Sequence, residues 1–350
     1  MHTEFRKNLL GWYHKNKRSL PWRSSNDPYL IWLSEIILQQ TRIEQGLPYF
    51  LRFQEKYKDV YSLAAASEDE VLKLWQGLGY YSRARNMHHT ANIIVQKYKG
   101  EFPTTYEELI KLKGIGSYTA SLICSVCFNL PFAVLDGNVF RLIARLFEIA
   151  EPINLAESKQ LFQKKADQVL DATKPGDFNQ AMMELGALVC TPQNPDCLNC
   201  TVNTFCEANR NKTTGNFPVR IPKEKVKKRY LNFCLIFNNN KVVIEKRIKR
   251  DIWKSLYQPV MIEKAELTHL TSIEVSNITA LSLKNFRFHS EISHLLTHRQ
   301  LIIRFYIAET DMLAAISDGF IWISINELPD FAFPKPIEIF IRNIFPDLFK

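Results

Sequence analysis

Four cysteines, Cys190, Cys197, Cys200 and Cys206, stand in the pattern C-x6-C-x2-C-x5-C. No other feature restricts the fold so sharply, because thiolates at this spacing close a short loop around a metal centre. An iron–sulfur cluster of the [4Fe–4S] type fits best. Structural zinc usually shows two short C-x2-C knuckles, and here there is only one, between unequal arms. Disulfides are the third reading. They need an oxidising compartment, yet the opening MHTEFRKNLLGWYHKNK carries charges throughout and no apolar signal core. A cytoplasmic protein is expected. Cys124, Cys127 and Cys234 lie in apolar runs and read as small core residues.

At 350 residues the chain has room for two domains, and its net charge of +9 makes a polyanion a natural partner. No apolar stretch approaches the roughly 20 residues of a membrane span. Between Arg210 and Arg229 eight Lys or Arg face one acid, in a segment broken by Gly215, Pro218 and Pro222. That composition reads as an exposed linker, either a solvated hinge or a grip on phosphates. Upstream the apolar period is helical, with a capped start at Asp27-Pro28 and helices over 68–75, 84–97, 106–111, 118–128, 138–147, 156–170 and 178–190. Downstream, β-type runs cover 231–237, 241–247, 257–262, 286–296 and 301–308, and a helix follows over 335–344. Asn238-Asn239-Asn240 suits a hairpin turn. The expected layout is a helical domain over 1–209, a basic linker over 210–229 and an α+β domain over 230–350.

Two carboxylates stand in unusual surroundings. Glu35 interrupts Leu30–Leu38, a helix apolar nearly all round and therefore buried. A buried carboxylate is either paired with an Arg or a helix end, or kept protonated for chemistry. Asp136 follows Phe132–Leu135 and precedes Gly137-Asn138, where an Asp commonly caps a helix and stays ionised. A raised acid beside an ionised partner is the division of labour that breaks glycosidic bonds.

Within the helical half, Leu112-Lys113-Gly114-Ile115-Gly116-Ser117-Tyr118 places two glycines in a turn between helices (about 110–122), where backbone amides can hold a phosphate. This turn, together with the cysteine pattern over 190–206, resembles the helix-hairpin-helix, iron–sulfur DNA glycosylases, the endonuclease III and MutY superfamily. Lys113 stands where that family usually has Pro. Ser34–Thr41 and Leu135–Val139 further resemble the MutY-type branch, which acts on adenine opposite 8-oxoguanine.

The resemblance implies an all-α helix-hairpin-helix domain with a [4Fe–4S] cluster, then an α+β MutT (Nudix)-like domain. It implies base excision by Glu35 as general acid that protonates the leaving purine at N7, with Asp136 stabilising the oxocarbenium-like sugar, by charge or a transient covalent bond, and Asn138 in the same motif. Tyr118 occupies the position of the Schiff-base lysine of relatives that also cut the backbone, so a monofunctional enzyme is expected. Trp22, Arg23 and Glu184 are implied for the adenine pocket. Gln40, Thr41, Leu78, Tyr80, Gly114, Gly116 and Ser117 are implied for double-stranded DNA with A opposite 8-oxoguanine or G. In relatives the hairpin turn also coordinates a monovalent cation.

From about Tyr230 onward the chain resembles the MutT-like domain. The Glu-rich helix that holds magnesium in true hydrolases of that fold is missing between Leu256 and Asn277, so no nucleotide hydrolysis is expected. Lesion reading falls instead to Leu296-Thr297-His298, where the family has Phe-Ser-His. A nucleoid-associated monomer is expected. Two rivals are a related glycosylase for T opposite G, and a non-catalytic, cluster-bearing DNA-damage binder.

Overall fold

Helix α2 (Pro28–Leu38) shows how local sequence builds the scaffold. Asp27 caps it by accepting the Tyr29 amide, Pro28 begins it, and positions 31–37 are all buried. The computed structural model describes residues 2–222, 226–311 and 316–349. Lys223, Glu224 and Lys225 of the expected linker lie outside the described residues. The chain folds as two compact units, one of Met1–Ala64 with His89–Lys223, the other of Ala65–His88 with Glu224–Lys350.

The first unit is helical. Besides α2 it draws on α1 (His2–Asn16), α3 (Ile43–Lys56), α4 (Val60–Ala65), most of α6 (Ser82–Tyr98), α7 (Tyr106–Leu109), α8 (Ser117–Cys127), α9 (Gly137–Leu146), α10 (Ser158–Val169), α11 (Pro175–Leu188) and α12 (Glu207–Arg210). Phe5 and Leu9 of α1 share a core with Leu142 and Ile143 of α9, Phe162 of α10 and Phe178 of α11. Helices α1, α3 and α4 go beyond the pattern read above. Charge among the apolar residues blurs the period of α1, Pro48 interrupts the pattern of α3, and α4 has only six residues. Between α7 and α8 the chain turns through Gly114 at φ 86°, a left-handed conformation that favours glycine.

The second unit is built on a seven-stranded sheet. Its strands are β1 (Lys227–Asn238), β2 (Lys241–Lys246), β3 (Tyr257–Gln258), β4 (Val260–Lys264), β5 (Lys284–Leu295), β6 (Arg299–Glu309) and β7 (Phe320–Ser324). Strand β1 runs parallel to β6, from Lys227 opposite Arg299 to Phe237 opposite Glu309. The expected 257–262 strand is two strands, because Pro259 lacks the amide that would continue one ladder. Alternation along β1 sends Leu231, Phe233 and Leu235 to one face, against Ile337, Phe340 and Ile341 of α14 (Lys335–Ile344). Cys234 and Ile236 face the other way, against Val275 of α13 (Ser272–Thr279). Helix α13 and β7 also lie beyond the pattern read from sequence. The expected linker finishes inside β1, which begins at Lys227.

Residues 65–88 belong to this second unit although they are distant in sequence. Helix α5 (Glu68–Trp75) starts with a capping box of Ser67 and Glu70. Lys73 Nζ donates to the Phe331 carbonyl at 3.0 Å, and Arg85 Nη1 donates to the Lys254 carbonyl at 2.7 Å.

Candidate active site and cysteine cavity

A cavity of about 400 Å³ in the helical unit is lined by Trp22, Arg23, Glu35, Gln40, Thr41, Tyr118, Asp136, Asn138 and Glu184. Nine residues singled out from four distant stretches of sequence therefore meet in one place. Glu35 projects into it from α2, Tyr118 from the start of α8, Asp136 and Asn138 from the start of α9, and Glu184 from α11.

Glu35 is 8% exposed. Burial raises its carboxyl, the Tyr118 hydroxyl opposes, the Asp136 charge adds to the rise and the Arg23 charge opposes, leaving it at about 7. Asp136 caps α9 as its sequence suggests, accepting the Asn138 amide at 2.9 Å, the Val139 amide at 2.7 Å and Asn138 Nδ2 at 2.7 Å. Capping was expected to hold Asp136 low. Burial outweighs the cap, and its carboxyl lies above the ordinary value. The Asp136 charge is in turn one of the causes that push Glu35 up. Burial and both carboxylates drive the Tyr118 hydroxyl well above its ordinary value, so it stays a proton donor.

Glu184 and Arg23 are committed to each other. Glu184 Oε1 accepts from the Arg18 amide at 2.8 Å, Arg18 Nε at 2.9 Å and Arg23 Nη1 at 2.9 Å. Its Oε2 accepts from Arg18 Nη2 at 2.7 Å and Arg23 Nη2 at 2.6 Å. Burial would raise this carboxylate, but the hydrogen bonds from Arg23 and Arg18 prevail and hold it at about 2. Glu184 is thus the anchor of two guanidiniums, and its side chain is 0% exposed. Arg18 was missed in the sequence, where nothing near it signals a partner 166 residues away. Gly186 was missed too. A Cβ there would stand 2.7 Å from Asn138 Cβ, so only glycine lets α11 approach the start of α9.

The four patterned cysteines line a second cavity in the same unit, with Arg145 among its walls. Arg145 Nη1 donates to Cys190 Sγ at 3.3 Å and to the Thr191 carbonyl at 2.7 Å. Burial pushes the Cys200 thiol up to about 12, and the amide of Val202 opposes it, as those of Asn209 and Ala208 do at Cys206. The Cys197, Cys200 and Cys206 thiols each feel the charge of neighbouring cysteines. Amide donors at Cys200 and Cys206 and a buried cation at Cys190 suit a thiolate-held metal centre, which would deprotonate the four sulfurs. Among the described residues no group of three or more His, Cys, Asp or Glu converges on a single metal-ion position. Arg141, also missed, donates through Nε to the Cys190 carbonyl at 2.6 Å and through Nη2 to Asn138 Oδ1 at 2.9 Å.

In the hairpin, Gly116 precedes α8 without a side-chain cap. The Lys113 carbonyl accepts from Thr90 Oγ1 at 2.8 Å and the Leu112 carbonyl from the Ile115 amide at 3.1 Å. In the second unit, Leu78 is buried and Tyr80 is 50% exposed, with its backbone at φ 48°. Thr297 and His298 are exposed on the β5–β6 connection, and Leu296 packs against the sheet core. The Tyr80 hydroxyl lies 2.6 Å from Thr297 Oγ1, so the glycine loop and the hairpin tip meet. Helix α13 carries one acid, Glu274, which is engaged by Lys264 and the Thr271 cap. No helix of the described residues is long and apolar enough to cross a membrane.

Comparison with known proteins accords with this geometry. Residues 33–168 match the HhH-GPD superfamily of base excision DNA repair proteins, and residues 232–343 match the NUDIX domain. An adenine DNA glycosylase of Buchnera aphidicola (subsp. Baizongia pistaciae) is 33% identical over 347 residues, covering 97% of this chain and 96% of its own. The human adenine DNA glycosylase is 44% identical over 216 residues, covering 59% of this chain and 39% of its own. The structure of a thermostable thymine-DNA glycosylase aligns with a TM-score of 0.56 at 26% identity, over 60% of this chain and 97% of its own. With a full-length relative at that identity and both domains in the order the fold shows, the chain belongs to the adenine DNA glycosylase family and is a DNA N-glycosylase of base excision repair.

Proposed function

We propose that this enzyme, acting as a monomer at the nucleoid, releases adenine placed opposite 8-oxoguanine or G. The observation that carries the mechanism is a Glu35 carboxyl at about 7 in a cavity shared with Asp136, Tyr118 and Asn138. Glu35, protonated, gives its proton to N7 of the flipped adenine. The C1′–N9 bond then breaks, its electron pair leaves with the base, and Asp136 stabilises the positive sugar until water adds at C1′ and gives its proton to the now ionised Glu35. Asn138 orients Asp136 through their 2.7 Å hydrogen bond. Tyr118 has no amine to attack C1′, which supports a monofunctional reaction. Trp22 forms a wall for the base, and the Arg23–Glu184–Arg18 assembly presents a fixed polar edge to it.

Gln40 and Thr41, which line the cavity, border the opening through which the nucleotide enters. Gly114, Gly116 and Ser117 meet the DNA backbone. Tyr80 wedges beside the lesion, with buried Leu78 supporting its loop, and Thr297 and His298 read the lesion while Leu296 anchors their turn. The four cysteines hold a [4Fe–4S] cluster, which supplies a rigid covalent staple to the 190–206 loop. The Leu112 and Lys113 carbonyls each accept one hydrogen bond, and their second lone pairs would hold a monovalent cation at the turn.

Single-turnover cleavage of duplexes with A opposite 8-oxoguanine, A opposite G and T opposite G tests this reading, wild type against Glu35→Gln. Adenine release that depends on Glu35 and is fastest opposite 8-oxoguanine is the expected result. Thymine release would move the substrate to the rival mismatch, and tight binding without release would make the carboxylates scaffold.

A further inference from the structure

A second polar cavity backs onto the base cavity in the helical unit. Its volume is about 290 Å³, and Trp22, Arg23 and Gln180 line both cavities and so form the wall between them. Its other walls come from α1, the end of α8 and the start of α11. Gly176 lets the last two meet, since a Cβ there would stand 2.9 Å from the Ser125 carbonyl oxygen. Tyr13 and Trp22 are buried, whereas Lys17, Asn26, Asn129, Lys174 and Asp177 are exposed and ring the mouth. That mouth opens to solvent through residues the base cavity does not share.

The lining contains polar groups that the fold leaves unpaired. Arg23 donates to Glu184 through Nη1 and Nη2, but its buried Nε has no acceptor. Buried donors without a partner are rare, because each has given up water for nothing. Among the described residues the Tyr13 hydroxyl and the Lys17 and Lys174 ammonium groups also lack a hydrogen-bond acceptor. Burial raises the Tyr13 hydroxyl, the Arg23 charge opposes and the Asp177 charge adds to the rise, so the group stays a donor. Asp177 is the one acid of the lining, and it lies 4.0 Å from His14 Nε2, at the limit of an ion pair. A flat ligand with several acceptors and one amine matches such walls. Adenine is one: its ring nitrogens accept and its exocyclic amine donates.

We propose that the second cavity is the exit site of the excised base, holding free adenine once it has passed the Trp22–Arg23–Gln180 wall. This rests on the reading that the base cavity releases adenine. The flipped sugar and its duplex fill the opening by which the nucleotide entered, so the base cannot return that way while DNA is bound. An exit on the far side lets the base leave first. Gln180 is the movable part of the wall, because its amide makes no hydrogen bond among the described residues. Beyond it Tyr13 and Trp22 face the ring, Asp177 accepts from the amine, and Arg23 Nε and the two lysines donate to ring nitrogens.

Equilibrium dialysis of radiolabelled adenine against the full chain tests the site. Wild type is expected to bind two adenines, one in each cavity. Asn26→Trp plugs the mouth and Asp177→Ala removes the acceptor for the amine, and each should weaken one of the two about tenfold. In single turnover of a duplex with labelled A opposite 8-oxoguanine, both variants keep the wild-type cleavage rate. Wild type yields free adenine while the abasic duplex is still bound, whereas Asn26→Trp yields it only as the duplex leaves. A single adenine unaffected by either variant, or wild-type adenine that always leaves with the duplex, would overturn the proposal. Displacement of the second adenine by inorganic phosphate would also overturn it and make the cavity an anion site. Thermal unfolding separates a folding defect in Asn26→Trp from a blocked mouth. Failure of the wild type to cleave, with both adenines still bound in dialysis, sinks the catalytic reading and spares the site.

Discussion

The base cavity and the Tyr80–Thr297 contact are built on opposite principles. In the cavity one buried carboxylate, Glu184, accepts five hydrogen bonds from two arginines, and Glu35 is held against its ordinary charge state. At the hairpin tip an exposed tyrosine and an exposed threonine share one hydrogen bond. Bond breaking needs groups fixed and desolvated before the substrate arrives, since electrostatic stabilisation depends on preorganisation. Telling one purine from another needs only one or two hydrogen bonds of difference. Substitutions should therefore cost far more in the first region than in the second.

The largest effect is expected from Glu35→Gln, which removes the proton donor and should lower single-turnover adenine release by about 10²- to 10⁴-fold. A near-normal rate would end the claim that the cavity is the chemical half. Next, Glu184→Ala leaves the nearly buried Arg23 charge unpaired, and denaturant unfolding should show a loss of about 3–5 kcal/mol. Were Glu184 only a solvent-facing acid, the loss would be within a few tenths.

Third in size is the pH response of Glu35. Its folded-state value, about 7, exceeds the ordinary 4.5. The native state thus holds a proton that the unfolded chain has lost between these values, and stability falls as pH rises through this window. Above pH 7 the ionised, buried group costs roughly 3 kcal/mol. Glu35→Gln should therefore raise Tm relative to wild type at pH 8 and leave the difference near its minimum at pH 4. The wild-type rate should also decline above about pH 7 as the acid loses its proton. A flat profile through that region would assign the proton to another group. The smallest effect is expected from Thr297→Val. Losing one exposed hydroxyl should reduce the preference for 8-oxoguanine over G roughly two- to tenfold, with A-opposite-G cleavage unchanged. A drop of 10³ would erase the contrast between the two regions.

Much of the site was legible in the chain. Glu35 stood out because charge is costly in an apolar helix, Asp136 because a cap precedes a helix, and the cysteines because their close spacing brings them to one cavity. The boundaries of α14 and the Asn239-Asn240 turn also follow from local pattern. Arg18, Arg141, Arg145 and Gly186 were not legible, because each acts through a partner far away in sequence or through empty space beside another helix.

The same reasoning divides what the sequence determined alone from what the tertiary structure decided. Short-range chemistry set the helices, the strands, the cysteine loop and the identity of the two carboxylates, since caps, periodicity and ligand spacing act over a few residues. Packing decided the rest. It left Glu184 an anchor for two arginines, carried Asp136 above its ordinary value despite its cap, and placed residues 65–88 with the C-terminal sheet so that Tyr80 meets Thr297. Burial and long-range hydrogen bonds have no local signature, because their energies depend on which surfaces the finished fold brings together.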